Sequence, residues 1–171
     1  MVSVEPIEVD EEQSGTIAAI INRAFAVEHW FVDGDRITAS DVLRLAGTSS
    51  GQFFVARDGA SRVGCVFTDV RSTSVGYIGL LAVEPARSGA GLGTQLMQRA
   101  EDHLRNRGCC TAEITVVDLR TDLMPFYARR GYRPTGVTQT FPRVAKQPCC
   151  LVEMTRTLDE PRTPKHPAPS T

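Results

Sequence analysis

The stretch from Val75 to Gly108 constrains the fold most, because an apolar strand, a glycine-rich turn and a long amphipathic helix follow one another directly. Residues 77–83 are YIGLLAV, apolar at both odd and even positions, which is typical of a central strand covered on both faces. The turn is SGAGLG, residues 88–93. In the helix, apolar residues recur every four positions, at Leu92, Leu96, Ala100 and Leu104. Helix N-termini leave N–H groups unpaired, and glycines let an anion approach them, so this turn predicts a phosphate or pyrophosphate site.

The kind of phosphate ligand is narrowed by what the turn lacks. A P-loop ends in Gly-Lys-Ser/Thr, whereas Gly93 is followed here by Thr94 and Gln95. A dinucleotide-binding fingerprint has the spacing GxGxxG, and Gly93 comes one position too early for it. The alternative, which stays open, is that the glycines only form the turn and bind no ligand. The pattern therefore predicts a phosphate-bearing ligand held by neither of these two motifs.

Hydrophobic periodicity and turn residues predict the element order β-α-α-β-β-β-α-β-α-β-β. The first helix follows Asp10-Glu-Glu-Gln13, which has the spacing of a capping box with Asp10 as N-cap and Gln13 reaching back. The predicted strands are residues 2–6, 52–57, 62–71, 75–83, 111–117, 132–141 and 149–158. The predicted helices are residues 11–25, 39–46, 92–107 and 123–130. We expect one mixed α/β domain over residues 1–158 and a proline-rich disordered tail over residues 159–171.

Composition excludes several classes of protein. A formal net charge of −1 leaves no basic excess for nucleic acid, and no apolar run reaches the roughly 18 residues of a membrane span. The N-terminal segment is acidic and lacks an apolar core, so it does not resemble a signal peptide, and we expect a cytoplasmic protein. The five cysteines show no CxxC spacing, which predicts buried, reduced thiols in or beside strands and no metal site, and a redox or zinc role stays open as the alternative.

Two segments resemble the GCN5-related N-acetyltransferase (GNAT) family. Residues 80–97, LLAVEPARSGAGLGTQLM, are similar to its coenzyme A-binding segment, and residues 125–132, PFYARRGY, are similar to its second signature. Both stand in the family's order and at its usual separation. The resemblance implies a mixed, largely antiparallel sheet that is splayed at an acyl-CoA site. It implies an enzyme that transfers an acetyl group from acetyl-CoA to a primary amine, and it admits a homodimer formed through the strand at residues 149–158.

The resemblance also implies where the cosubstrate binds. The pyrophosphate is expected on the backbone of Ser88, Gly89, Ala90, Gly91, Leu92, Gly93 and Thr94. The pantetheine arm is expected to pair with Leu81, Ala82 and Val83. Two positions depart from the family: Ser88 stands where arginine or glutamine is common, and Arg120 stands where asparagine is common. Arg120 is a further candidate for cofactor contact, and so is Arg129 or its neighbour Arg130, with a solvated helix face as the alternative for these two.

For catalysis, the resemblance implies that Tyr127 protonates the leaving thiolate as a general acid, which suits a phenol with a pKa of about 10. The alternative is that Tyr127 only packs its helix and hydrogen-bonds the sulfur. The base is open. The strand position that carries a glutamate in some members corresponds to Tyr77, or to a neighbour if a bulge shifts the register. Glu28, His29 and Glu113 are candidates, acting directly or through ordered water.

The acceptor is expected under the loop between the first two helices, residues 28–35, EHWFVDGD. Trp30 and Phe31 would offer an aromatic wall there, together with Tyr77 on the central strand, and the carboxylates of the loop would hold a cation. The alternative is that Trp30 and Phe31 fill the core. A small amine is the favoured acceptor. A peptide or protein amine, a non-catalytic acyl-CoA sensor and a nucleotide-phosphate enzyme on another fold stay open as alternatives.

Overall fold

A computed structural model describes residues 1–158, which form seven strands and four α-helices. The strands are β1 (Val2–Ile7), β2 (Gln52–Asp58), β3 (Ser61–Val70), β4 (Val75–Val83), β5 (Thr111–Val117), β6 (Arg133–Thr140) and β7 (Cys150–Thr157). The helices are α1 (Glu11–Phe25), α2 (Ala39–Ala46), α3 (Leu92–Asn106) and α4 (Leu123–Arg129). The predicted order is confirmed, and the boundaries agree to within one residue. The predicted tail, residues 159–171, lies outside the described residues.

All seven strands belong to one sheet, in the order β1-β2-β3-β4-β5-β7-β6. Only the β4–β5 pair is parallel, so the prediction of a mixed, largely antiparallel sheet is confirmed. Because β7 lies between β5 and β6, the strand expected at a dimer interface has no free edge. The homodimer stays a prediction. Within residues 1–158, no helix combines the length and apolarity needed to cross a bilayer.

The helix caps differ from the prediction. At α1, the backbone N–H of Gln13 donates to Asp10 Oδ1 at 2.8 Å, as an N-cap requires. The reciprocal half of the predicted box is wrong, because the Gln13 side-chain oxygen is buried without a hydrogen-bond partner. A complete capping box forms instead at α2, where Thr38 and Asp41 bond to each other's backbone N–H. The loop expected from residue 26 also begins as a short 3-10 turn, Ala26–Glu28.

Helices cover both faces of the sheet, which accounts for the apolar residues on both faces of β4. On one face, α3 buries Leu96, Met97 and Leu104 against β2–β5 and β7. On the other face, α1 buries Ile17, Ile20 and Ile21 against β2–β4. All five cysteines are free thiols. Cys65 and Cys109 are buried, whereas Cys110 is exposed and Cys149 and Cys150 are half-buried, so the prediction of buried thiols is wrong for these three.

The sheet is splayed between its two central strands. β4 and β5 pair over only three positions, Val75 with Thr111, Gly76 with Ala112 and Tyr77 with Glu113. Beyond them β4 contains a bulge: Cys65 of β3 pairs with Ala82 and Phe67 pairs with Gly79, so Leu80 and Leu81 both face Val66. Leu80 has a φ of +52°, rare for a non-glycine residue. The bulge and the short pairing open a gap between β4 and β5, which confirms the predicted splay.

Candidate active site

A cavity of about 890 Å³ runs through the gap between β4 and β5. One end is the glycine turn and the N-terminus of α3. The other end lies between the α1–α2 loop and the β6–β7 loop, where Glu28 and Phe141 contribute to the wall. Tyr127 lines the middle from one side of the sheet, and Tyr77 lines it from β4. The cavity therefore connects the glycine turn to the two loops through the gap where β4 and β5 no longer pair.

The glycine turn presents free N–H groups to the cavity. Gly89 and Gly91 have φ values of +83° and +80°, a conformation in which glycine avoids the strain of a side chain. The first helical bond of α3 runs from Gln95 to Gly91, which leaves the N–H groups before Gln95 without helical partners. Because these donors and the positive end of the helix dipole point at one place, the turn fits a phosphate or pyrophosphate group.

Most of the predicted cosubstrate residues line the cavity. These are Leu81, Val83, Ser88, Gly89, Gly91, Leu92, Gly93, Thr94 and Arg120. Ala90 and the exposed Arg129 lie outside the lining, and the Ala82 side chain is buried in the core beneath α1. The N–H of Ser88 donates to the Pro85 carbonyl at 3.2 Å, so this amide is already engaged. The donors available to an anion therefore begin after Ser88.

Tyr127 lies on α4, only 8% exposed. Its ring contacts Phe126 and Tyr132 edge-on, with centroids 5.0 and 5.8 Å away. Within residues 1–158, its hydroxyl has no hydrogen-bond partner. Burial raises the pKa of Tyr127 well above its usual value; Tyr77 adds to this, and Arg120 and Arg130 oppose it. The phenol is therefore neutral and carries an uncommitted O–H donor into the cavity.

Glu28 is the one base candidate that lines the cavity, and it is held by Arg120. Arg120 Nη1 lies 3.1 Å from Glu28 Oε1, and Glu28 is only 4% exposed. The same guanidinium binds Asp122 through two nitrogens, each at 3.0 Å. Burial, the largest single influence, lowers the pKa of Arg120, but the hydrogen bonds and charges of Asp122 and Glu28 together raise it above its usual value. Arg120 thus fixes a carboxylate in the cavity wall.

The other base candidates lie away from the cavity. His29 is exposed, and its carbonyl accepts a hydrogen bond from Lys146 Nζ at 3.1 Å. Glu113 is half-buried on β5, pairs in register with Tyr77 and lies outside the cavity lining. Burial raises the pKa of Glu113; Glu153 adds to this, and Arg71 opposes it. Tyr77 lines the cavity, with the Arg71 guanidinium 4.3 Å from its ring centroid.

The two aromatic residues of the acceptor loop point to different environments. Phe31 is fully buried and packs near Phe141, with ring centroids 6.3 Å apart. Trp30 is 54% exposed and touches Phe31 edge-on. Neither residue lines the cavity. Phe31 therefore belongs to the core, as one of the two sequence-based alternatives held, while Trp30 stands at the outer surface of the loop.

The cavity wall also contains residues that the sequence did not indicate. Arg36, Phe141 and Arg143 all come from loops on either side of the acceptor end. Arg143 Nη2 donates to the carbonyls of Asp33, Gly34 and Asp35 and so ties the two loops together. Single arginines in irregular loops carry no periodicity or motif that would mark them in a sequence. No group of three or more His, Cys, Asp or Glu within the described chain could hold a metal ion.

The buried phenols predict that the protein loses stability at alkaline pH. Burial raises the pKa of both Tyr127 and Tyr132, and it raises the pKa of the Cys65 thiol to about 12. In the unfolded chain, phenols ionise at about pH 10. Above that pH the unfolded state releases protons that the folded state keeps, so the free energy of unfolding falls by about 1.4 kcal/mol per pH unit for each phenol.

Urea unfolding between about pH 8 and about pH 11 measures this loss. Tyr132→Phe removes one of the two phenols and is expected to flatten the decline. A free energy of unfolding that stays constant over this range would contradict the assignment of neutral, buried phenols.

The sequence and the fold were compared with those of known proteins. Residues 8–132 match the family described as the acetyltransferase (GNAT) family. No protein with a curated description matches the sequence. The ribosomal-protein-S18-alanine N-acetyltransferase of Escherichia coli has a TM-score of 0.74 at 15% identity, over 97% of this chain and 99% of its own. A candidate phosphinothricin N-acetyltransferase has a TM-score of 0.75 at 18% identity, over 92% of this chain and 100% of its own.

A third similar structure contains a ligand. A GNAT family acetyltransferase from Elizabethkingia anophelis, solved with acetyl-CoA bound, has a TM-score of 0.64 at 13% identity, over 92% of this chain and 98% of its own. At these identities, the structural likeness establishes the fold alone.

Proposed function

Because this chain belongs to the GNAT family and is an acyl-CoA N-acyltransferase, we propose that it transfers an acetyl group from acetyl-CoA to the primary amine of a small molecule. The gap between β4 and β5 carries this proposal. It joins an anion-binding helix N-terminus to a buried phenol within one cavity. The free edge of β4 beyond Tyr77 supports backbone pairing with an extended arm, and the glycine turn supports binding of the pyrophosphate.

Tyr127 is the proposed general acid. As the amine attacks the thioester carbonyl and the C–S bond breaks, negative charge develops on sulfur, and an O–H donor stabilises it. The raised pKa of Tyr127 keeps this donor protonated throughout the neutral range. The same raised pKa makes Tyr127 a weaker acid than a free phenol. Its stabilisation of the leaving sulfur therefore grows as more negative charge develops there.

The base must take a proton from an ammonium group before the amine can attack. Of the three candidates, Glu28 is the one in the cavity wall, which supports its carboxylate, or a water beside it, as the proton acceptor. Its bond to Arg120 commits one oxygen, Oε1. We therefore propose that the proton leaves through water near Glu28.

The acceptor end of the cavity supports a small acceptor over a protein. The β6–β7 loop is tied to the α1–α2 loop by the Arg143 bonds, by the Lys146 N–H donating to the Phe31 carbonyl at 2.7 Å, and by a β-bridge between Val32 and Ala145. These ties hold one loop against the other, whereas a protein acceptor requires an open groove. The E. coli structural neighbour is named for a protein acceptor, so peptides belong in the test.

The test is incubation of the purified protein with acetyl-CoA and a panel of amines and short peptides, with products detected by mass spectrometry. Detection of free thiol is unsuitable, because the chain has five cysteines. We expect acetylation of one class of small amine. Acetylation of peptides alone would favour the protein acceptor. Tight acetyl-CoA binding without any product would favour a sensor.

A further inference from the structure

Five arginines line the cavity, and three of them have carboxylate partners. Arg23 binds Glu84, Arg87 binds Asp58, and Arg120 binds both Glu28 and Asp122. The remaining two, Arg36 and Arg143, form no ion pair with any carboxylate in residues 1–158. The cavity wall therefore contains two arginine charges that the described protein does not neutralise.

These two arginines lie at the acceptor end. Arg36 is in the α1–α2 loop, and its guanidinium carbon lies 5.5 Å from the Phe25 ring centroid. Arg143 is in the β6–β7 loop, and its Nη2 lies 3.0 Å from the Asp35 carbonyl oxygen. That carbonyl belongs to the peptide bond that joins Asp35 to Arg36. The Arg143 guanidinium is thus anchored directly beside the backbone of Arg36, at the end of the cavity opposite the glycine turn.

The acidic side chains of these loops do not compensate the two charges. The Asp33 carboxylate is 84% exposed and binds Lys146 at 2.8 Å. Asp35 is exposed and lies outside the cavity lining. Glu28, the acid that does line this end, is held by Arg120. An anion entering this end would therefore meet two arginines and no competing free carboxylate.

We propose that the acceptor is a small amine that also bears a carboxylate, held through that carboxylate by Arg36 and Arg143. A guanidinium binds carboxylates through charge-assisted hydrogen bonds, which are strongest where water is partly excluded. Binding at the two loops directs the amine of such an acceptor toward the gap between β4 and β5. This inference rests on the proposed function, and it names the class of amine.

The experiment compares amino acids with their primary carboxamides as acceptors, in the wild type and in Arg36→Gln. The readout is the ratio of kcat/KM for the acid to kcat/KM for the amide. The amide has a more acidic ammonium group, but this difference cancels when the ratio in the variant is divided by the ratio in the wild type. We expect Arg36→Gln, and separately Arg143→Gln, to lower the ratio about 10- to 100-fold. Arg36→Lys keeps the positive charge and is expected to retain part of the wild-type preference for the acid.

Arg44→Gln is the matched control, because Arg44 is an exposed arginine on α2 outside the cavity. Its ratio is expected to equal that of the wild type. A ratio that is the same in Arg36→Gln, in Arg143→Gln and in the wild type would overturn the inference and leave the proposed function intact, as would a wild type that acetylates only amines without a carboxylate. So would a rise in the Kd of acetyl-CoA in Arg36→Gln without a change in the ratio, because the arginine would then serve the cosubstrate phosphates. No acetylation of any amine would overturn the proposed function and this inference with it.

Discussion

Replacing Tyr127 with phenylalanine is expected to lower kcat about 10²–10⁴-fold, while the Kd of acetyl-CoA stays within about threefold of the wild-type value. The substitution removes the O–H donor and keeps the ring, which packs between Phe126 and Tyr132. Since the hydroxyl has no partner among the described residues, its loss breaks no hydrogen bond there and leaves the fold unchanged. Steady-state kinetics measure kcat, with the acceptor that mass spectrometry identifies. Titration with acetyl-CoA measures its Kd.

Tyr132→Phe is the matched control. This phenol donates to Glu101 Oε1 at 3.0 Å and lies outside the cavity lining, so its loss should affect stability and leave the kcat of the folded enzyme near the wild-type value. Equal losses of kcat in both variants would mean that the effect arises from packing. An unchanged kcat in Tyr127→Phe would remove the general-acid role.

Replacing Glu101 with alanine is expected to lower the free energy of unfolding by about 3–5 kcal/mol, a large part of the roughly 5–15 kcal/mol available to a domain of this size. Glu101 is fully buried on α3. Its Oε2 accepts from Arg130 at 3.0 Å and from Arg156 at 2.8 Å, and its Oε1 accepts from Tyr132. Without the carboxylate, two arginines would face each other with their charges unpaired. Urea denaturation measures the loss.

Asp102→Ala provides a comparison on the same helix, because Asp102 is 49% exposed and its ion pair with Arg105 spans one helical turn. That variant is expected to lose less than about 1 kcal/mol, as surface ion pairs do. Glu101→Gln keeps the shape of the side chain and removes its charge. Its loss in the free energy of unfolding should lie between those of Glu101→Ala and Asp102→Ala. Similar losses for Glu101→Ala and Asp102→Ala would show that the buried network contributes no more to stability than a surface ion pair does.

The sequence alone predicted the fold well because its strongest signals are local. The four-residue repeat that began at Leu92 predicted four helix positions, and Leu92, Leu96, Ala100 and Leu104 are all buried in the structure. The glycine turn was also a local pattern, and its positive φ values match the need for glycine. Spacing between neighbours in the chain is enough to recognise such features.

The remaining features depend on contacts between distant residues. Glu101 lies four positions after Met97, on a buried row of α3, but its partners Arg130, Tyr132 and Arg156 come 29, 31 and 55 residues later. The Glu28–Arg120 pair spans 92 residues. No periodicity connects positions so far apart. The position of Glu28 beside Arg120 and the charge at the acceptor end therefore depend on how the loops fold. The sequence left both open.

The interrupted pairing of β4 and β5 has a consequence for hydrogen exchange. Amide N–H groups of β4 beyond Tyr77 that point toward β5 have no strand to bond to, although they lie in the centre of the sheet. In the free protein these amides are expected to exchange with deuterium as quickly as those of an edge strand, and a bound pantetheine arm should slow them. The least protected strand backbone would then lie in the middle of the molecule, and a ligand would complete the sheet there.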